Sequence, residues 1–463
     1  MVSEPDFDVI VIGAGGAGIA AAATAAEGGA SVLIIEAASQ PGGATALAGG
    51  SFMAAGTAQQ AQVGYPADSA DALFDHYLTF NRWHVAPAVV RRFCDAALPT
   101  FEWLQQLGAQ FLPDALYRAA RETAPRTHRV AGGGQTYIDI LHRAASHHGA
   151  DFAFGKRVDG LHQVGDSYLV RAGDDEVSAA AVVVATGGFG ANTELISKYL
   201  PAAHGDPVWS PAPPTCRGDA LALVAGAATG GINHGEVLLT SGLVHEIEPF
   251  TPPWLMMVGG DGRRFIDESA PYAVLAPLAI AHGPCWVILD DALVRSAKPN
   301  PSATWGAGTW TADILLAAAA DQRILTAPTV EQLAVAAGLP APALTGTVHR
   351  YNVSCAGGRD TEFLKPVGLR PITEPPFYAV KLAPAVVVVT GYGLHIDPDG
   401  RVLNEVDGGP MPGLYAAGEV TGNVLGPQYL GGGNAISSAL IFGRIAGASA
   451  VSDAAHHVAG ARQ

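Results

Sequence analysis

VIVIGAGGAG, residues Val9 to Gly18, decides the fold of this chain. Four branched apolar residues run without polar interruption into a cluster of glycines, as a strand buried on both faces does when it ends in a tight turn. The next stretch, Ala17 to Ala26, reads as a helix, and VLIIE after it reads as a second buried strand closing on Glu36. A turn of this kind lets backbone approach a pyrophosphate without a Cβ in the way, and the helix then offers its N–H groups and positive dipole end to the phosphates. Gly13, Gly15, Gly16, Ala17 and Gly18 are therefore expected at the phosphates. Glu36, about twenty residues past the first strand and followed by Ala37, is expected at a ribose.

Outward from this unit the pattern repeats. The loop QPGGATALAGGSF (Gln40 to Phe52) supplies Gly42, Gly43, Ala44, Thr45, Gly49 and Gly50, small residues that let main chain lie along a cofactor. AAAVVVATGGFG (Ala179 to Gly190) is another buried strand ending in a glycine turn, which returns the chain to the same parallel sheet. Ala185, Thr186, Gly187, Gly188 and Asn192, with Val158 upstream, join the candidate cofactor residues. Near the other end, GLYAAGEVTG (Gly413 to Gly422) places Gly418 and Glu419 after a strand, and LGGGNAIS opens the last helix. Glu419 is expected at a ribityl chain. The N–H groups of Asn434, Ala435 and Ile436 suit negative charge near a flavin N1 and C2=O. One end of the chain holding the ADP half and the other reaching the far half points to FAD.

The fold class expected is α/β: a Rossmann-like FAD-binding domain with a central parallel sheet, interrupted by an α+β cap that holds substrate. Residues 1–238 form the first part of the FAD domain, 239–375 the cap, and 376–463 the second part. The cap boundary rests on a shift toward Pro, Trp and irregular spacing, and the return rests on strand-like sequence from Phe377. Helical spacing is read between Asp68 and Leu107, at Tyr137 to Ser146, around Thr311 to Gln322 and Thr329 to Gly338, and at Ala435 to Val451.

Composition restricts the function. In 463 residues, 49% apolar, there is enough material for a large core and two domains. A formal charge of −16 argues against a nucleic-acid partner. Cys94, Cys216, Cys285 and Cys355 are scattered, without the C-x-x-C pairs of c-type haem or an iron–sulfur cluster, and read as reduced structural thiols. No stretch reads as a signal peptide or an integral membrane segment, so a cytoplasmic location is expected. His128, His147 and His148 read as a solvated face, and no metal is assigned. Arg263 and Arg264 read as cap-surface or ion-pair residues.

GRRFIDES (Gly262 to Ser269), GLYAAGEVTG, and LGGGNAIS followed by FGRIAG resemble the fumarate reductase and succinate dehydrogenase flavoprotein superfamily across nearly the whole chain. The resemblance implies a split FAD domain, a mobile cap, and substrate held between cap and isoalloxazine. In the fumarate-type pattern one arginine acts in proton transfer from the cap and another clamps a substrate carboxylate. Their places here hold Tyr272 (DESAPY) and Tyr429 (GPQYLGGG), and the histidine before the strand glycine is missing from VVVVTGYG. A neutral phenol cannot replace the bidentate, charge-assisted contacts of a guanidinium.

Tyr272, Tyr429 and Gly433 instead resemble the site of 3-ketosteroid dehydrogenases and related cyclic-ketone desaturases. That resemblance implies α,β-desaturation of a ketone. The Tyr429 O–H and Gly433 N–H hold the carbonyl oxygen, Tyr272 as phenolate takes the α-proton, and a β-hydride passes to flavin N5. Tyr117 is a candidate second phenol to share the charge. No counterpart of the histidine that anchors FAD covalently in some relatives is evident near Gly43 to Ala48, so non-covalent FAD is expected, with a small-molecule ketone and an external electron acceptor as partners. Two other readings stay open: an ene-reductase running the same hydride step in reverse, and a flavin module that only passes electrons.

Overall fold

The computed structural model describes residues 4–119, 122–247, 251–298 and 308–461. Two compact units emerge: one comprises Met1–Pro201, Ala212–Glu236 and Val389–Gln463, the other Ala202–Pro211 and Val237–Val388.

The first unit is built on an eight-stranded sheet. Its central strand, Phe7–Ile12, lies parallel to Val32–Glu36 on one side and to Asp175–Val184 on the other, with Val9 opposite both Val32 and Ala181. Pro410–Ala416 adds in parallel beyond Asp175–Val184, and Asp151–Phe154 beyond Val32–Glu36. The distant C-terminal segment therefore enters the same sheet as the opening strand. Val9, Ile10 and Val11 have no exposed surface, and full burial of each such side chain stabilises the fold by about 1.5–3 kcal/mol. This is why the run contains no polar residue. An antiparallel ribbon, Gly160–Val164 with Ser167–Ala172, extends the sheet from Asp175–Val184.

Helix Gly16–Glu27 packs on helix Asn434–Ala461. Contact is backbone-close: a Cβ on Gly443 would meet Ala17 O at 2.4 Å, and one on Gly447 would meet Ala21 O at 2.3 Å. By length and composition the segment Asn434–Ala454 could cross a membrane, which the sequence reading did not anticipate, but 61% of its apolar window is buried inside the protein. Its apolarity is that of a core helix.

The second unit centres on a five-stranded sheet in the order Gly235–Thr240, Phe377–Thr390, Cys285–Asp290 and Met256–Val258, with Leu325–Ala327 also on Phe377–Thr390. Strand Cys285–Asp290 runs antiparallel to Phe377–Leu382, pairing Asp290 with Phe377 and Cys285 with Leu382. The expected break at residue 375 therefore falls later, between Val388 and Val389. Phe377 does begin a strand, but its partners belong to this sheet, and composition carries no record of pairing. Helices Ala312–Ala320 and Val330–Ala337 stand where helical spacing was read. The second is capped by Thr329, whose side chain accepts from the Gln332 N–H, and by Gly338 in the left-handed region.

Arg264 lies in a buried charge network of this unit. Its guanidinium donates to both oxygens of Glu268 at 2.9 Å and to both oxygens of Asp360 at 3.0 and 2.9 Å. Lys365 Nζ reaches Glu268 at 3.1 Å and donates to Leu255 O at 2.7 Å. Arg263, by contrast, is exposed beside Asp261. The expectation for His128 is corrected. It is fully buried, bonded to Thr57 Oγ1 at 2.8 Å and Arg126 O at 3.0 Å, with Phe101 4.7 Å from its ring centre. Its strand, Thr127–Arg129, pairs with Ser51–Met53 and turns the ring inward. His147 and His148 are exposed at the end of their helix.

Candidate active site

The glycine turn after the first strand is as close as the fingerprint requires. A Cβ on Gly18 would lie 1.8 Å from Gly13 O, so the helix can begin this near the turn only without one. Gly15 bridges to Gly42, and the Gly42 N–H donates to Ala14 O at 2.9 Å, which lays the Gly42–Gly50 loop beside the turn. Gly43, Ala44 and Thr45 form a short helix there, and Thr45 Oγ1 accepts from the Gly16 N–H at 3.3 Å. Glu36 accepts from the Ala14 N–H at 2.6 Å and, through its other oxygen, from the Ala38 N–H at 2.7 Å. Ala37 thus sits between two fixed residues, and each carboxylate oxygen keeps lone-pair capacity for a ribose hydroxyl.

Ala185 donates to Ile12 O at 2.9 Å, bringing Thr186, Gly187 and Gly188 to the strand's end beside Gly13. Thr186 Oγ1 is buried without a hydrogen-bond partner among the described residues. Val158 is buried on the same unit. Asn192 spends its side-chain oxygen capping helix Thr193–Tyr199, accepting from Glu194 and Leu195 N–H groups. Glu419, next to Gly418, accepts from both the N–H and the O–H of Thr390 at 2.7 Å through one oxygen. A glycine-walled cradle and a helix start at Asn434, with the Thr186 hydroxyl and Asn434 Oδ1 both unpaired among the described residues, suit a nucleotide cofactor of FAD type.

Around that helix start lies a group of phenols. Tyr429 is 9% exposed, and its oxygen accepts from the Ala435 N–H at 3.2 Å, which leaves its own proton to be donated elsewhere. Burial raises its ionisation well above the ordinary tyrosine value. Gly433 N–H makes no hydrogen bond among the described residues. Asn434 donates to Tyr77 OH at 3.2 Å, and Tyr77 in turn donates to Val424 O at 2.8 Å, fixing the turn that presents Tyr429. Ile436 is buried behind it. Tyr117, half-buried, shares a 3.2 Å hydrogen bond with Ser51 Oγ, and its charge couples to that of Tyr429. Burial raises the Tyr117 ionisation too. In the second unit Tyr272 opens helix Tyr272–Ala281 behind Pro271 and is half-buried.

Sequence reading passed over Glu236. It lies in the strand Gly235–Thr240, is 4% exposed, and couples electrostatically to Tyr429. The available signal was an acid set directly before an apolar strand run, EVLL. The buried thiols of Cys94, Cys216 and Cys285 are each pushed up to about 12 by burial, too high to supply a thiolate at neutral pH. Among the described residues no group of three His, Cys, Asp or Glu is arranged to hold a metal ion.

Residues 8–436 match a protein-family model described as FAD binding domain. Over 462 residues the chain is 32% identical to a probable fumarate reductase of Shewanella frigidimarina (strain NCIMB 400), covering 96% of this chain and 75% of that one. It is 26% identical to the 4-oxocyclohexanecarboxylate 2-dehydrogenase of Sinomonas cyclohexanicum, covering 98% and 94%. The crystal structure of 3-ketosteroid-Δ4-(5α)-dehydrogenase from Rhodococcus jostii RHA1 superimposes with a TM-score of 0.78 at 27% identity, covering 97% of this chain and 98% of that one.

Proposed function

Because this chain belongs to the FAD binding domain family, with fumarate reductase flavoproteins among its relatives, and is an FAD-dependent oxidoreductase acting on carbon–carbon bonds, we propose that it desaturates a cyclic ketone between the α and β carbons. The substrate class is a 3-ketosteroid or a smaller oxocyclohexane compound. The observation that carries this reading is Tyr429: a buried phenol, its oxygen fixed by the Ala435 N–H, beside an unengaged Gly433 N–H. Two neutral donors suit a ketone oxygen gaining enolate character. They do not suit a carboxylate, which relatives of the fumarate type meet with arginine.

Tyr429 and Gly433 hold the carbonyl oxygen, Tyr272 removes the α-proton, and Tyr117 with Ser51 polarises the neighbourhood of Tyr429. When bound, non-covalently, FAD supplies the two-electron acceptor for the β-hydride. The C=C bond forms from the electron pair left by the α-proton, and the two electrons leave for an external acceptor. Gly13 to Gly18, Glu36, Thr186 and Asn434 to Ile436 position the cofactor.

A second reading is favoured by one observation, the higher identity to a fumarate reductase than to the two dehydrogenases. It runs the same hydride step toward a saturated product. Anaerobic stopped-flow separates them: bleaching of the flavin by a 3-ketosteroid or a cyclohexanone supports desaturation. Reoxidation of reduced enzyme by an enone, with no bleaching by the saturated ketone, supports the reductase.

A further inference from the structure

Asn81 stands at the end of helix Ala70–Phe80 with its side-chain amide turned to the segment that carries Tyr429. Its Oδ1 accepts from the Gln428 N–H at 2.9 Å, one residue before the phenol, and its Nδ2 donates to Tyr77 O at 3.2 Å. Asn81 is 1% exposed, so both bonds are made away from water, which does not readily replace them. One turn earlier on the same helix, Tyr77 donates to Val424 O at 2.8 Å and accepts from Asn434 Nδ2 at 3.2 Å. The stretch Val424 to Asn434 is therefore held at its start, its middle and its end by two neighbouring side chains.

The backbone on both sides of this contact is built around it. Gly426, at φ +76°, lies so close that a Cβ there would meet Asn81 Oδ1 at 2.5 Å and Val85 Cγ1 at 2.8 Å. Directly after Asn81, Arg82 and Trp83 both take left-handed backbone, with φ of 50° and 60°. L residues adopt that conformation at an energetic cost, whereas glycine adopts it freely. Their N–H groups donate to Thr79 O at 3.1 Å and Leu78 O at 2.8 Å, which closes the helix immediately past Asn81. Strain is thus kept where Asn81 meets the loop, and strain retained in this way accompanies function.

We propose that Asn81 is a positioning residue for Tyr429, holding the phenol through the Gln428 N–H so that its O–H and the Gly433 N–H converge on one ketone oxygen. This rests on the reading that the substrate is a ketone. Convergence is demanding, because a displacement of about 1 Å at a reacting group costs about 10²-fold in rate. Both polar atoms of Asn81 bond to main chain, so it acts through Tyr429 rather than on the substrate.

The test uses the FAD-loaded protein with Asn81→Leu, which removes both bonds at similar volume, alone and combined with Tyr429→Phe. At saturating ketone, anaerobic flavin reduction is expected to slow about 10- to 10²-fold in Asn81→Leu. With Tyr429→Phe already present, adding Asn81→Leu should slow it less than about threefold further, because the group being aimed is gone. Gly426→Ala reaches the same contact from the loop side, driving a Cβ against Asn81 Oδ1, and should show the same loss and the same non-additivity. Hydrogen–deuterium exchange of residues 424–434, followed by mass spectrometry, is independent of turnover. It should quicken about tenfold in Asn81→Leu, while helix Gly16–Glu27 exchanges as in wild type. An Asn81→Leu rate within about threefold of wild type, an equal loss in both backgrounds, or unchanged exchange at 424–434 each overturns the assignment. Should Asn81→Leu fail to hold FAD, Gly426→Ala decides by the same limits. Wild-type flavin that no ketone bleaches, together with exchange that still quickens, defeats the ketone reading and leaves Asn81 the clamp of this loop.

Discussion

Replacing Tyr429 by phenylalanine removes one oxygen and little volume, so its two consequences separate cleanly. The structural one is loss of the 3.2 Å acceptor for the Ala435 N–H. Ala435 lies in the first turn of its helix, where N–H groups have no intrahelical partner, and it is half-buried, so water can replace the phenol. The cost to stability is about 0.5–1.5 kcal/mol. The chemical consequence is loss of a donor aimed at developing negative charge, worth about 10²–10³ in rate, or about 2.7–4 kcal/mol in barrier. Tyr429→Phe should therefore purify with FAD bound, melt close to wild type, and reduce its flavin with ketone at least 10²-fold more slowly. Anaerobic stopped-flow at saturating ketone measures the rate, and the flavin absorbance before mixing measures occupancy. A rate within threefold of wild type at full occupancy would refute the donor role and with it the main support for a ketone substrate.

Tyr272→Phe should lose more activity than Tyr429→Phe and lose the rising limb of the pH–rate profile; a retained limb removes Tyr272 as the base. Gly18→Ala forces a Cβ to within 1.8 Å of Gly13 O, so the purified variant should carry little FAD, read as the flavin-to-protein absorbance ratio. Arg264→Met leaves Glu268 and Asp360 facing each other without their shared cation and should destabilise the second unit by about 3–5 kcal/mol in urea unfolding. Burial lowers His128 to about 4 from an ordinary 6.5. The unfolded chain therefore takes up this proton first as pH falls, so stability present above pH 6.5 drains away toward pH 4, by roughly 3 kcal/mol in all. A His128→Phe variant should show a shallower acid slope over that window, and an unchanged slope would assign the loss to other groups.

Much of the first unit was legible because its signals are local. A continuous apolar run such as Val9–Ile12 has few uses besides a doubly buried strand, and Gly13 to Gly18 fix a backbone approach that other residues cannot make. Gly16–Glu27 follows from the glycine turn that opens it, Gly134–His147 from apolar spacing, and Val330–Ala337 from spacing with its Thr329 and Gly338 caps, all signals carried within a dozen or so residues. His128 was misplaced for the opposite reason, and of Arg264 the ion pairing was read but not its burial. Their burial depends on strands and acids from far along the chain, and a polar residue in isolation reads as solvent-facing.

The sequence by itself determined the nucleotide turn and the α/β class, since residue identity and short-range spacing suffice for each, and its resemblance to the fumarate-type pattern implied tyrosine in place of arginine at Tyr272 and Tyr429. Only the tertiary structure decided that Phe377–Leu382 pairs with Cys285–Asp290, that Tyr117 bonds Ser51 beside Gly433, and that Glu236 is buried. Pairing and desolvation are properties of neighbours brought from hundreds of residues away, and a carboxyl's proton is set by what surrounds it in space rather than by what flanks it in the chain.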